Sequence, residues 1–201
     1  MENFMLIDNQ TKYKKQNLID IIFTISVIVL LLFFYFVSQI WVSISVVKMD
    51  SMNDTLMEND KLVTDNLAKP KRGDIIVFSH DENTDYIKRV IAVEGQTIYN
   101  DEKGNVYLEF VDKSGNIVKE ALEEPYLNEN MKTYKNLSDF YLSEEVSLFR
   151  VEVKKGELFV MGDNRLVSRD SREFGSISTS QVKGVVHQFW VDNKDIINKI
   201  F

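Results

Sequence analysis

No cysteine occurs in the chain, so a disulfide framework, a thiolate metal site and a thiol nucleophile are all excluded, and cysteine proteases and transpeptidases with them. Histidine is almost as scarce, with His80 and His187 alone, and no spaced set of zinc ligands accompanies them. A Ser-His-Asp hydrolase would need one of these two as its base. His80 lies in a polar turn and His187 in a strand-like run, and neither carries a nucleophile-elbow signature. Positive charge is in deficit, 24 Lys and Arg against 31 Asp and Glu, which argues against nucleic acid as a partner. Internal repeats and low-complexity linkers are lacking too. A length of 201 residues leaves room for one ordinary domain and an anchor, not for two independent cores.

What is present first is apolar length. Ile21 to Val47 runs for 27 residues without a charge and is rich in Ile, Val, Leu and Phe. As a helix it would reach about 40 Å against a hydrocarbon core of about 30 Å, so it is expected to tilt or to let its last turn emerge. Its length, and the want of a small-x-small exit before Lys48, favour an uncleaved anchor over a removed export signal. Lys12, Lys14 and Lys15 precede the span, so residues 1–20 are expected in the cytoplasm and residues 48–201 outside it, in a single-pass cell-membrane topology.

Beyond the anchor, short β-branched or aromatic runs bounded by turn residues predict a single, mostly β domain. The predicted strands are Lys61 to Thr64, Asp74 to Phe78, Tyr86 to Val93, Val106 to Val111, Asn116 to Lys119, Leu158 to Met161 and Val182 to Val191. Pro70, Gly73, Gly95, Ser114-Gly115-Asn116 and Lys155-Gly156 punctuate them. Tyr134 to Val146 shows no clear period and receives no assignment.

Three segments carry residues suited to catalysis. Ser51 follows the apolar span by four residues, which places a hydroxyl at the membrane surface; by itself such a serine is more often a turn or cap residue. Lys88 alternates onto one strand face with Tyr86 and Val90, while Arg89 shares the other with Ile87 and Ile91. On a buried face an ammonium loses affinity for its proton and its neutral amine can deprotonate a hydroxyl, which a guanidinium cannot do. On an edge strand both cations would instead reach water. The third segment, Gly162-Asp163-Asn164-Arg165 through Phe174-Gly175, has the composition of an ordered loop, in which Ser168 is suited to orient the Lys88 amine and Asp170 to pair with Arg172. A charged surface loop has the same composition.

Taken in order, these segments resemble the boxes of bacterial type I signal peptidases: Arg72-Gly73-Asp74-Ile75-Ile76-Val77-Phe78, then Tyr86-Ile87-Lys88-Arg89-Val90-Ile91, then Gly162-Asp163-Asn164-Arg165 with Ser168, Asp170-Ser171-Arg172 and Phe174-Gly175. Glu124-Pro125-Tyr126-Leu127 resembles a further family segment. The resemblance runs from the anchor to about Gly184 and is least constrained over Tyr99 to Val153. It implies a β-rich catalytic domain, a serine endopeptidase that cuts signal peptides from exported preproteins, and a dyad that needs no metal or cofactor. In that reading Ser51 is the nucleophile, Lys88 the base, Ser168 holds Lys88, and Asp170 with Arg172 supports the loop. Met52, Met49 and Tyr86 are expected along a groove in which an extended substrate lies beside strand edges.

Departures from the family pattern cluster near the nucleophile, where Met49 and Asp54 stand in place of a small residue and a proline. Met49 supplies no hydroxyl to an oxyanion hole, which leaves backbone N–H groups, notably that of Ser51. Ala92, Glu94 and Gln96 depart as well, from glycine, proline and aspartate. These changes give substance to a second reading, a weakly active or inactive relative that binds exported subunits during surface-fibre assembly. Retention of Ser51, Lys88, Ser168, Asp170 and Arg172 favours the enzyme. A self-cleaving repressor protease also uses a Ser-Lys pair, but the apolar span and the lack of a DNA-binding segment oppose it.

Overall fold

The computed structural model describes residues 2–81, 84–128, 131–135 and 148–190. Two compact units divide between Trp41 and Val42. The first is one helix, α1 (Glu2–Trp41). Its apolar stretch, Asn17–Val37, has 21 residues at a mean hydropathy of 2.7 and is the one helix among the described residues long and apolar enough to cross a membrane. Such a stretch measures about 32 Å, close to the thickness of a hydrocarbon core, so the tilt expected from a 27-residue span is not required.

The helix stops short of the predicted Val47 because Val42-Ser43-Ile44-Ser45-Val46 alternates at period two and pairs as a strand. Strand pairing satisfies its backbone groups while the β-branched side chains keep the χ1 freedom that a helix restricts.

The second unit is mostly β. Its elements are β1 (Val42–Val46), β2 (Lys61–Asp65), β3 (Ile75–Ser79), β4 (Asp85–Val93), β5 (Thr97–Asn100), β6 (Val106–Val111), β7 (Ile117–Ala121), β8 (Arg150–Glu152), β9 (Glu157–Met161), the single-turn helix α2 (Ser171–Phe174), β10 (Ile177–Ser178) and β11 (Val182–Trp190). One antiparallel sheet runs β1-β2-β11-β3-β4-β9-β10 and a smaller one β7-β6-β5-β8. All seven predicted strands are present. The last residue of the run predicted to end at Val191, and residues 136–146 of the unassigned Tyr134 to Val146, lie outside the described residues.

β4 is an interior strand between β3 and β9, and both of its faces are covered. Ile76, Phe78, Val90 and Val160 build a core on one face. Ile91, Ala92, Phe159 and Met161 join Ile98 and Leu108 of the small sheet in a second. A third core, Val47, Met52, Leu56, Leu62 and Ile75, lies beneath the turn that carries Ser51. Each such side chain, fully buried, contributes roughly 1.5–3 kcal/mol, which is what holds these three segments in register.

Candidate active site

Ser51 occupies a tight turn fixed from two directions. Below it, Met52 and Leu56 are 1% and 0% exposed in the third core. Within it, the Asn53 N–H donates to the Asp50 carbonyl at 3.1 Å, and the Thr55 and Leu56 N–H groups donate to the Met52 carbonyl at 2.8 and 2.9 Å. From the side, the Asn164 N–H donates to the Ser51 carbonyl at 3.0 Å and Asn164 Nδ2 to the Asp50 carbonyl at 3.2 Å. Thr55 Oγ1 donates to Asp163 Oδ2 at 2.5 Å, so the turn is tied to the Gly162–Asn164 segment through both residues that flank it.

Lys88 is 1% exposed. Its Nζ lies 2.7 Å from Ser51 Oγ and 3.1 Å from the Ile87 carbonyl oxygen. Burial pushes the ammonium down to about 8; Asp170 opposes that shift, Arg172 adds to it and Asp163 opposes it. A neutral amine beside a hydroxyl is the arrangement that general-base activation of serine requires.

Arg89, one residue on, is also buried, and it is fully engaged. Nε and one terminal nitrogen form a two-pronged pair with Asp163 at 2.9 and 2.6 Å, the other terminal nitrogen donates to the Gly73 carbonyl at 2.9 Å, and the guanidinium stacks 4.0 Å from the centre of the Tyr126 ring. Of the two alternatives for these cations, the buried strand holds and the edge strand does not, since β4 has strands on both sides and both side chains are buried.

The loop after β9 is a polar core of its own. Asp170 is 0% exposed; burial pushes its carboxyl up, but the charge and hydrogen bonds of Arg172 prevail and hold it below the ordinary carboxylate range. Arg172 meets both Asp170 oxygens at 2.8 and 2.9 Å and donates to the carbonyls of Arg165, Ser168 and Tyr134. Asp170 Oδ2 in turn accepts from the Gly162 N–H at 3.0 Å, and Arg165 is clamped by Glu124, Thr133 and the Gly162 carbonyl. Gly162 is obligatory here: a Cβ would fall 2.3 Å from Ser168 Oγ and 2.4 Å from the Ser51 carbonyl oxygen.

Three expectations need correction or refinement. Ser168 is buried in this loop, but its hydroxyl accepts from the Gly162 N–H at 3.1 Å and is hydrogen-bonded with Asp170; the Lys88 amine is bonded to Ser51 and the Ile87 carbonyl instead. The carboxylate and amide on either side of Ser168 compete successfully for its hydroxyl. Tyr86 is not among the residues walling the cleft, although its ring centre lies 5.4 Å from Lys88 Nζ. It faces Phe78 across the β3–β4 pair, with ring centres 5.9 Å apart, and packs with His80 and Phe174. Met52 touches the cleft but is chiefly a core residue, whereas Met49, half exposed, stands at the rim.

The cleft beside Ser51 and Lys88 has a volume of about 720 Å³ and is walled by Val46 to Met49, Val77, Ile87, Thr84, Asp85 and Lys183. Among the described residues no group of three or more His, Cys, Asp or Glu is placed to hold a metal ion. Asp163, Asn164, Thr55 and Arg89 were not legible as site residues, because their contacts bridge 74 to 114 positions of sequence. The run Gly162-Asp163-Asn164-Arg165 was the available signal for two of them. The departures after β4 are absorbed locally: Gln96 Oε1 accepts from the Val93 N–H and Glu94 Oε2 from the Gly156 N–H, capping the turn.

The family model described as signal peptidase, peptidase S26, matches residues 17–191. Signal peptidase IB of Staphylococcus aureus (strain Mu50 / ATCC 700699) is 30% identical over 192 residues, which cover 88% of this chain and 91% of that protein. Signal peptidase I of Bacillus caldolyticus is 34% identical over 151 residues, 72% of this chain and 78% of that one. Among solved structures, the crystal structure of a signal peptidase I from Enterococcus faecalis V583 aligns at a TM-score of 0.39 and 27% identity over 60% of this chain and 98% of its own. On the breadth of the sequence match, this chain belongs to the signal peptidase family, peptidase S26.

Proposed function

We propose that the chain is a membrane-bound serine endopeptidase that removes signal peptides from exported preproteins through a Ser51–Lys88 dyad. The observation that carries this reading is the 2.7 Å approach of Lys88 Nζ to Ser51 Oγ, with the amine buried and no carboxylate in ion-pair contact with it among the described residues. The neutral amine takes the Ser51 hydroxyl proton as Oγ attacks the scissile carbonyl. It then returns that proton to the leaving amine, and a second passage with water releases the acyl group.

The tetrahedral oxyanion is received by the Ser51 N–H, since Met49 supplies no hydroxyl. Asp163, Asn164 and Thr55 hold the nucleophile's turn, and Asp170 with Arg172 holds the loop that supplies two of them. Ser168 serves as a positioning residue through Gly162 and Asp170, not by direct contact with the amine. Helix α1 is the single membrane span, and Lys12, Lys14 and Lys15 keep the N-terminus cytoplasmic and the β domain outside. The substrate lies extended in the cleft, and membrane confinement of both partners takes over part of the orientational search.

The test is cleavage of a membrane-inserted preprotein by the full-length protein beside Ser51→Ala. Product from the first and none from the second is expected. Retention of the preprotein without cleavage by the unsubstituted chain would transfer the assignment to a binding role in subunit assembly.

A further inference from the structure

The cleft changes character along β4. Near the dyad its floor is apolar, Val77 pairing with Ile87 across β3 and β4. Three residues before Lys88 the floor ends at Asp85, which at the rise of a strand is about 10 Å from the base. Lys183, from β11, meets Asp85 there at 2.7 Å from Oδ1 and 2.9 Å from Oδ2, and Ser79 Oγ donates to Oδ1 at 3.0 Å. Both partners of the pair are about half exposed and both wall the cleft.

The donor and acceptor inventory of that end is lopsided. The Asp85 carboxylate has both oxygens occupied by Lys183 and Ser79. The Lys183 ammonium has three N–H donors, and Asp85 engages at most two of them. Lys48, exposed on the Ser51 side of the same cleft, makes no ion pair among the described residues. Asp50 and Asp54 flank the nucleophile but do not wall the cleft. On a chain of formal net charge -7, the exposed charges that wall it among the described residues sum to one positive, and their spare hydrogen-bonding capacity is of the donor kind.

We infer that Lys183, oriented by Asp85 and assisted by Lys48, forms a charge-reading subsite that favours an Asp or Glu side chain in the substrate within about three residues of the scissile bond. The range follows from the 10 Å between Asp85 and the dyad and the rise of about 3.3 Å per residue in an extended peptide. This rests on the dyad reading of the same cleft and adds to it a preference that an apolar groove alone would not have.

The experiment uses the full-length protein in detergent micelles and a set of signal-peptide-derived substrates in which Glu, Gln and Lys are placed in turn at each of the three positions on either side of the cut. At one position, Glu should raise kcat/KM about two- to fivefold over Gln at low salt, with Lys below Gln, and the ratio should fade at high salt. Lys183→Gln should bring the Glu to Gln ratio to one, Lys183→Glu should invert the preference, and Lys48→Gln should reduce it. Equal rates for Glu and Gln at every position, or a ratio unaltered by Lys183→Gln, would overturn the inference. The same series with a reduced, uncleavable peptide bond, read as Kd by fluorescence anisotropy, separates the two levels. Absence of cleavage refutes the dyad, whereas the binding ratios still decide the charge preference.

Discussion

Lys88 and Arg89 are neighbours on one interior strand, and the two faces of β4 treat their charges in opposite ways. On the Arg89 face, Asp163 offers two oxygens to a guanidinium that cannot release its proton, and the result is a fixed brace between β4 and the Gly162–Asn164 segment. On the Lys88 face the cation is buried to the same degree, but its bonded neighbours are a hydroxyl and a carbonyl. Desolvation there has no paired carboxylate to offset it, so the amine gives up its proton easily. Similar burial thus yields a structural tie in one case and, on the proposed dyad, a base in the other; the contacting acceptor decides which.

Exchanging the head groups is the most direct way to break the contrast. Lys88→Arg retains the charge and roughly the length but cannot act as a base, so preprotein cleavage should fall by about 10²–10⁴-fold in a protein whose circular dichroism is unaltered. Cleavage near the unsubstituted rate would dispose of Lys88 as base.

Removing the acceptor instead tests the other face. Asp163→Ala leaves Arg89 buried without its countercharge and should cost about 3–5 kcal/mol in urea unfolding of the full-length protein in micelles. Lys88→Met removes a buried ionisable group of similar length and should stay within about 1.5 kcal/mol of the parent. Similar losses in the two variants would mean that the faces are not energetically distinct.

The smallest effect is graded by pH. Because the folded amine is held near 8, below its ordinary value, the neutral fraction grows as pH rises through that point. The kcat/KM should therefore climb about tenfold per unit up to about pH 8 and then level, and Arg89→Lys should leave the midpoint in place. A flat profile from pH 6 to 8 would show that deprotonation of Lys88 does not limit the reaction.

Strand positions were readable where composition and periodicity agree. Val106 to Val111 forms the predicted strand residue for residue, and Asp74 to Phe78, Tyr86 to Val93 and Leu158 to Met161 are displaced by a residue at most, because β-branched runs there are bracketed by Gly or Pro. Val42 to Val46 was misread because its apolar composition continues that of the helix, and only the alternating serines mark the change of period. Thr97 to Asn100 and Arg150 to Glu152 are too short to stand out from loops.

Within the site, residue type pointed to Ser51 and Lys88, whose side chains the fold brings together. Face-sharing did place Tyr86 beside Lys88, its ring centre 5.4 Å from Nζ, but the long stem of the lysine carries the amine on to Ser51 while the tyrosine ring stacks on Phe78. The partner of Ser168 and the Arg89–Asp163 brace depend on pairings 6 to 74 residues apart that no local pattern encodes.

The tie between the nucleophile's turn and the loop after β9 has a bearing on biogenesis. Ser51 and Lys88 emerge from the ribosome early and only 37 residues apart, but the groups that seat Ser51 and enclose the amine arrive much later, Asp163 being 108 residues beyond Thr55 and Asn164 114 beyond Asp50. Closing so long a loop precedes any gain from the contacts it makes, so this corner forms late and as a unit. On the proposed dyad, a nascent chain therefore holds both groups without the setting that would make them reactive until the loop has docked and β11, which joins β2 to β3, has been added.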